Sequence, residues 1–541
     1  MWLGLLLTLL LAAPAHAQAP VDRAGSHPAR SATRDISPAD RRAFRAARAI
    51  ADGTAAVRAA RRRHPGLQAG EFSRTADRLE LIYQDRGRDV IAVDVDLAAR
   101  RVLATWTGAQ IRWGMARGSP EAFGRWWSSP WVVLPLGLLF LTPFVDPRRP
   151  WRLLHLDLLM LLAFGVSHLF FNAGRIGVSV PLVYPVLLYL AVRMLFAAFR
   201  PREPAGPLVP HASAKLLGAG LVALLAARIV LDVAGSSVID VGYAGVIGAD
   251  HILDGEGLYG PQFADDPPNG DTYGPLTYLL YVPFRLLLGW SGRWDALPAA
   301  HGAAIAFDLA TVAALLWLGR RLRPGAAGRL LGLALAWAWA ANPYTAFVLS
   351  ANANDALVAL FCALALGLAA SPAGRAVAVA FGGGAKLAPF ALAPLFAWTA
   401  RPAPRSLAVY GLTFAAVTAA TFLPFVPDGG VRELYDRTLG FQAGRSSPFS
   451  VWGQEPALHG LHTVVKIVVV DFALLLAVWP PRPSPRVLAA LGAVVLLGLQ
   501  MAVTHWFYLY VPWVLPFVLA ALFLGRETAP RGGAPAPAAG G

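Results

Sequence analysis

The chain has 541 residues, 56% of them hydrophobic and 15% charged, with a mean hydropathy of +0.52. That balance excludes an ordinary soluble protein, and apolar runs near the length of a bilayer crossing recur along the chain. The net charge of +15 does not signal nucleic acid, because the arginines fall in short loops between apolar runs and in one polar N-terminal stretch. Cys362 is the only cysteine, which excludes disulfides and thiolate metal sites within the chain. Lys215, Lys386 and Lys466 are the only lysines beside 44 arginines, so a lysine inside an apolar segment stands out.

Residues 1–17, MWLGLLLTLLLAAPAHA, read as a secretory signal with an Ala-His-Ala cleavage site. Left uncleaved, the segment is an anchor, and the domain after it, 18–125, still lies outside. Between 21 and 130 there are 20 Arg and 12 acidic residues and no apolar run. A helix is expected over about 38–63. LELIYQD, DVIAVDVD and RVLATWTG then alternate apolar and polar residues as three short antiparallel strands. This order of helix and hairpins resembles PepSY-like or cystatin-like modules. The likeness implies a small extracytoplasmic α+β domain without a catalytic signature.

A front module of three spans, 131–199, follows. Charge sets its direction: 131–145 crosses inward to Arg148, Arg149 and Arg152, 153–171 crosses out, and 178–199 crosses in to Arg200, Arg202 and Lys215. His155, Asp157 and His168 share one of these spans, where bonding to a neighbouring helix is the ordinary role of a buried histidine. Residues 216–234 then cross outward. LGRRLRPGAAGR, 318–329, is the most basic short loop of the membrane region and is expected inside, so 274–290 must not cross. That segment is broken by Pro275 and Pro283, carries Arg285, and reads as re-entrant or interfacial. The same parity makes 376–400 two half-helices meeting at Gly382-Gly383-Gly384. With 298–319, 330–347, 353–370, 405–426, 462–480, 486–503 and 508–525, the fold class is an α-helical polytopic membrane protein of about eleven crossings plus two re-entrant segments. The Ala/Pro/Gly tail, 527–541, is expected to be disordered.

One loop stands apart chemically. Residues 238–284 hold seven carboxylates and no Lys or Arg, and they set out Asp240, Tyr243, Asp250, Asp254, Tyr259, Asp271 and Tyr273 between apolar helices. Membrane proteins place polar chemistry where it is used, which makes this loop the expected active site. Ile239, Val246 and Leu253 recur every seven residues, so 239–254 can lie as a helix on the membrane surface. Asp250 and Asp254 share a face of it and can meet sugar hydroxyls or a divalent cation. No metal motif of fixed spacing is present, so no metal or other cofactor is assigned.

From about Lys215 to Arg526 three elements recur in order. The first is Asp240 just beyond an outward span, then Gly-Glu-Gly-Leu-Tyr259. The second is Tyr273-Gly-Pro275-Leu276 before a proline-broken helix. The third is Asn342-Pro343 with Asn352, Asn354 and Asp355, followed after a span by Gly384-Ala-Lys386-Leu-Ala-Pro389. This layout, 215–526, resembles the GT-C superfamily of polyprenyl-phosphate-sugar-dependent glycosyltransferases. It is most similar to glycosyltransferase family 87, with its polyprenol-phosphate-mannose-dependent mannosyltransferases. The residues before 215 lie outside the family's pattern.

The resemblance implies an inverting transfer of a mannose-like sugar from a polyprenyl-phosphate donor to a glycan or glycolipid acceptor on the outer face of the inner or plasma membrane. Such a transfer needs a base for the acceptor hydroxyl and positive or hydrogen-bonding groups for the departing phosphate. The family uses an Asp of the first outer loop as base, and Asp240 occupies the matching position; the plainer role is a helix cap. Lys386 is either a phosphate ligand, with glycine N–H groups beside it, or a side chain reaching the cytoplasmic interface. In the loop 427–461, Gln442, Arg445 and Trp452 offer amide, guanidinium and a flat ring, which suit phosphate and pyranose or are simply solvated. His505 and Tyr508 at the last outer turn are either substrate contacts or an interfacial aromatic belt. Asn352, Asn354 and Asp355 either cap helices or bind sugar. A transporter or flippase of lipid-linked glycans is the alternative. It calls for ionisable residues near the midplane of repeated halves, whereas the acids here gather in an outer loop. A transmembrane sensor would need a cytoplasmic output domain, which the chain lacks.

Overall fold

The N-terminal helix Pro38–Asp52 begins where the Ser37 hydroxyl accepts the Asp40 N–H at 3.1 Å, with Pro38 in the first turn. It stops at Gly53, and Thr54 starts a second helix, Ala55–Arg63, by accepting the Val57 N–H at 3.2 Å. The single helix expected over 38–63 is therefore two. Four strands follow as an antiparallel meander: Gln68–Thr75, Arg78–Asp85, Arg88–Asp96 and Arg101–Trp106, with the two-residue strand Arg30–Ser31 on the first. Gln68–Thr75 was not among the three expected strands, because QAGEFSRT has little apolar alternation; Phe72 is buried in the core and Ala69 packs against it. Ala47, Ala51 and Val57 pack with Phe72, Leu79, Leu81, Tyr83 and Val93 to form that core. This computed structural model describes residues 30–31, 37–75, 77–118, 129–200, 207–260, 263, 269–398, 403–480 and 483–525; the expected signal at 1–17 and tail at 527–541 fall outside them.

The membrane region is helical. Among the described residues seven helices are long and apolar enough to cross a bilayer: Leu153–Asn172, Ile176–Phe199, Ala214–Gly235, Pro298–Leu322, Pro404–Phe425, Pro456–Val478 and Pro485–Ala502. Shorter apolar helices include Pro130–Leu141, Pro275–Leu288, Ala356–Gly367 and Tyr508–Leu524. The eleven expected crossings are thus not met one for one. The reason is local chemistry. The run 330–347 is cut at Asn342, whose side-chain Oδ1 accepts the Tyr344 N–H at 2.8 Å and so caps the helix Pro343–Ser350. The run 353–370 becomes helical only at Ala356, after an Asn-rich turn. The segment 376–400 is broken, but the first helix continues through the three glycines to Ala385 and the break falls at Lys386.

Several charged groups inside these spans are paired, which offsets the cost of a low dielectric. Arg228 meets Asp308 at 2.8 Å, and Trp339 Nε1 donates to the same carboxylate. Asp157 accepts from Arg193 at 2.8 Å and from Tyr189 at 2.9 Å. The front module packs closely on later helices: Trp337 Nε1 donates to the Leu139 carbonyl, and Ser167 and Ser179 both bond the Tyr508 hydroxyl.

The helix Asp240–Asp254 does not lie on a surface. It is buried from Val241 through Ala249, while Leu253, the last of the seven-residue repeat, is exposed. Its glycines explain the burial. Ring atoms of Tyr281 and Tyr278, from the helix Pro275–Leu288, stand 2.6 Å and 2.2 Å from where a Cβ of Gly245 and Gly248 would be. Gly248→Ala is expected to lower unfolding stability by about 1–3 kcal/mol, read by thermal melting in detergent. A shift no larger than that of an exposed alanine substitution would mean the contact yields freely.

Candidate active site

Asp240 opens its helix in the first helical position rather than the capping one. Its Oδ1 accepts the adjacent Val241 N–H at 2.9 Å, and the capping position belongs to Ile239. The segment before it is held by the turn 350–355. Ser237 N–H donates to the Ser350 carbonyl and Ile239 N–H to that of Ala351, each at 3.2 Å. Asn352, at φ 50, donates from Nδ2 to Ser236 Oγ and the Ser237 carbonyl. Asn352 is thus a brace for the Asp240 segment.

The Asp240 side chain is exposed, yet protein surrounds it at longer range, which is the situation of a group lining a recess. That surrounding protein raises its pKa above the ordinary carboxylate value, while Arg445 and Lys386 pull it back. Tyr273 and Tyr510 lie within the electrostatic reach of both Asp240 and Arg445. Arg445 also bears on His505, whose pKa burial drives well below its ordinary value. Among the described residues no carboxylate sits within ion-pair distance of Arg445; its guanidinium lies 5.8 Å from the Phe441 ring.

Lys386 is buried and paired: Nζ donates to Asp355 Oδ1 at 2.8 Å, and that oxygen also accepts from Trp513 Nε1 at 2.8 Å. The ammonium stands 5.3 Å from the Tyr273 ring and 5.8 Å from that of Trp513. A close backbone approach brings Tyr273 there. A Cβ on Gly274 would stand 2.0 Å from the Gly384 carbonyl oxygen, and Thr277 Oγ1 donates to the Ala385 carbonyl. The glycine run 382–384 is thereby used for packing, against Pro389, Phe390 and Thr421, rather than as a cradle of N–H groups. Beside it, Asn354 is fully buried, and among the described residues neither of its side-chain polar atoms nor Asp355 Oδ2 finds a hydrogen-bond partner.

One constellation therefore unites Asp240, Tyr273, Asp355, Lys386, Arg445 and His505 from six segments of the chain. Other expected site residues are engaged elsewhere. Asp250 pairs with Arg285 at 2.6 Å, and Asp271 with Arg437 at 2.7 Å. Tyr259 donates to the Tyr273 carbonyl, so it supports that ring's backbone. Tyr243 is buried and stacks on Trp294 at 4.7 Å, and Asp254 is exposed at the far end of its helix. Trp452 donates to the Met501 carbonyl and stacks on His462. Gln442 is half-buried in the same helix as Phe441. Tyr508 bonds Ser167 and Ser179 and stacks on His168 at 3.9 Å, which ties it to the front module.

Tyr510 and Trp513 are the site members that sequence reasoning passed over. They stack at 4.1 Å, and their spacing of three along a helix was the available signal. Ser447, bonded to His505 Nδ1 at 2.9 Å, was also missed. Among the described residues no three His, Cys, Asp or Glu side chains converge as a metal site. Comparisons with protein-family models, curated proteins and solved structures give no match.

Proposed function

We propose that the protein is a membrane-embedded glycosyltransferase of the GT-C type, resembling family 87. It moves a mannose-like sugar from a polyprenyl phosphate to a glycan or glycolipid acceptor at the outer face of the membrane. The observation that supports this reading is an exposed carboxylate, Asp240, within the electrostatic reach of two cations of different status, Arg445 and Lys386. Among the described residues Arg445 has no carboxylate within ion-pair distance, and it is the group to take the donor phosphate, for which a guanidinium fork is suited. Lys386 is already neutralised by Asp355, so its part is to position the Tyr273 and Trp513 rings as the walls of a sugar site. Asp240 takes the acceptor proton as the sugar–phosphate bond breaks, and the phosphate leaves with the bonding pair. A raised pKa suits a carboxylate to that role near neutral pH.

The mechanism requires the recess to face outward, which fixes the topology. Arg320, Arg321 and Arg329 then face the cytoplasm and the helix Pro275–Leu288 stays on the outer side. Gly325→Cys tests this, since the sole native cysteine, Cys362, is buried and gives little background. The introduced thiol is expected to resist an impermeant reagent in intact cells and to react once the membrane is opened. Free labelling in intact cells would reverse the orientation.

A further inference from the structure

The helix His459–Val478 carries two charges that its own bundle does not use. One stripe of it turns inward: His462 bonds the Ala502 carbonyl at 2.7 Å, Val469 packs on Gly498, and Leu476 is buried. The opposite stripe, Gly460, Thr463, Ile467, Val470 and Leu474, is exposed. Exposed apolar groups alone are what lipid covers. Lys466 and Asp471 are exposed too, on this helix that is apolar enough to cross the membrane, and among the described residues neither has an ion-pair partner.

Depth makes the pair informative. Asp471 lies seven residues from the helix end at Val478, roughly 10 Å at the rise of an α-helix. A lysine stem covers about 6 Å of such a distance and carries its ammonium toward the interface, which a one-carbon aspartate stem cannot do. Ionised side chains at that depth face protein of opposite charge. The spacing says which protein. With Ile467, Val470 and Leu474 at successive a, d and a positions of a heptad, Lys466 falls at g and Asp471 at e. In two parallel helices those positions flank the seam and pair across it, residue i with residue i+5 of the neighbour.

We propose that His459–Val478 is a dimerisation surface on which a second copy of this chain packs in parallel, Lys466 of each copy pairing with Asp471 of the other. Both copies enter the membrane in the same orientation, so a twofold axis along the membrane normal makes the helices parallel and forms the ion pair twice. Gly460 and Thr463 let the backbones approach at one end. The inference does not rest on the transferase reading.

Charge exchange is the test, read as the mass of the full-length protein in lipid nanodiscs and as cross-linking of Val470→Cys. Wild type is expected to be dimeric, and Val470→Cys to form a disulfide that the inward control Val465→Cys does not. Lys466→Asp or Asp471→Lys alone should weaken the dimer by about tenfold or more, since each creates like charges at the seam. The double variant K466D/D471K should recover it to within a few-fold. Should a single variant fail to insert, the Val470→Cys cross-link with native charges still decides the matter. A monomeric wild type, single reversals that dimerise as well as wild type, or a different membrane protein bound along this helix would each overturn the proposal.

Discussion

Asp240→Asn is expected to abolish sugar transfer, by roughly 10²–10⁴-fold for loss of a general base, while donor binding stays within a few-fold. The swap keeps the shape and the acceptor for the Val241 N–H. Its effect on stability separates chemistry from architecture. Loss of bulk solvation to the surrounding protein raises the Asp240 pKa in the folded state. Such a carboxyl holds its proton more tightly folded than unfolded, so its contribution to stability falls as pH rises from the ordinary carboxylate value through the raised one. At neutral pH the ionised group is a net cost, and asparagine should leave the melting temperature unchanged or raise it. The acid limb of kcat/KM in wild type should lie above the ordinary carboxylate range, because only the ionised form accepts a proton. A variant that melts lower and still transfers sugar within a few-fold of wild type would make Asp240 a structural group.

Lys386→Met is expected to be among the most damaging single substitutions. It leaves the fully buried Asp355 carboxylate with Trp513 as its remaining bonded partner. Removing one member of such a pair costs about 3–5 kcal/mol. The companion variant K386M/D355N takes away both charges and should regain most of that stability, as thermal melts in detergent would record. Transfer should stay impaired in the double variant, since the Tyr273 and Trp513 rings lose the ammonium that lies between them. Recovery of stability and activity together would reduce the pair to a structural bond. Failure to recover stability would place the cost in packing rather than in charge.

Much of this site is legible in the sequence because its members are rare types in an apolar text. A lysine after three glycines, an arginine in a polar loop and an acidic stretch free of basic residues each stand out against such a background. What the sequence does not disclose is which carboxylates are already satisfied. Asp250 and Asp271 look like Asp240 until Arg285 and Arg437, from distant segments, are seen to neutralise them. Aromatic residues pose the same difficulty. In HWFYLYVPW nothing marks Tyr508 as a tie to Ser167 and Ser179 and Tyr510 as a wall of the site, because the choice is made by the direction of a short 3-10 turn. Helix extents were misjudged where apolar runs conceal a polar break, at Asn342 and at Asn354-Asp355. A hydropathy average reads through such residues, but the Asn342 side chain caps a new helix and the next helix begins only after Asp355. The meander was legible in three of its strands, whose alternation is clear, and Gln68–Thr75 was added by pairing with its neighbour rather than by its own pattern.

The most direct measurement is transfer of a radiolabelled sugar from a polyprenyl-phosphate donor by the purified protein reconstituted in lipid, wild type beside Asp240→Asn. The expected result is a labelled glycan or glycolipid formed by wild type and lost in the variant, with equal donor binding by both. A wild-type protein that is inserted and folded, yet transfers no sugar from any polyprenyl-phosphate donor and instead moves lipid-linked glycans between leaflets, would contradict the assignment and make the recess a transport site.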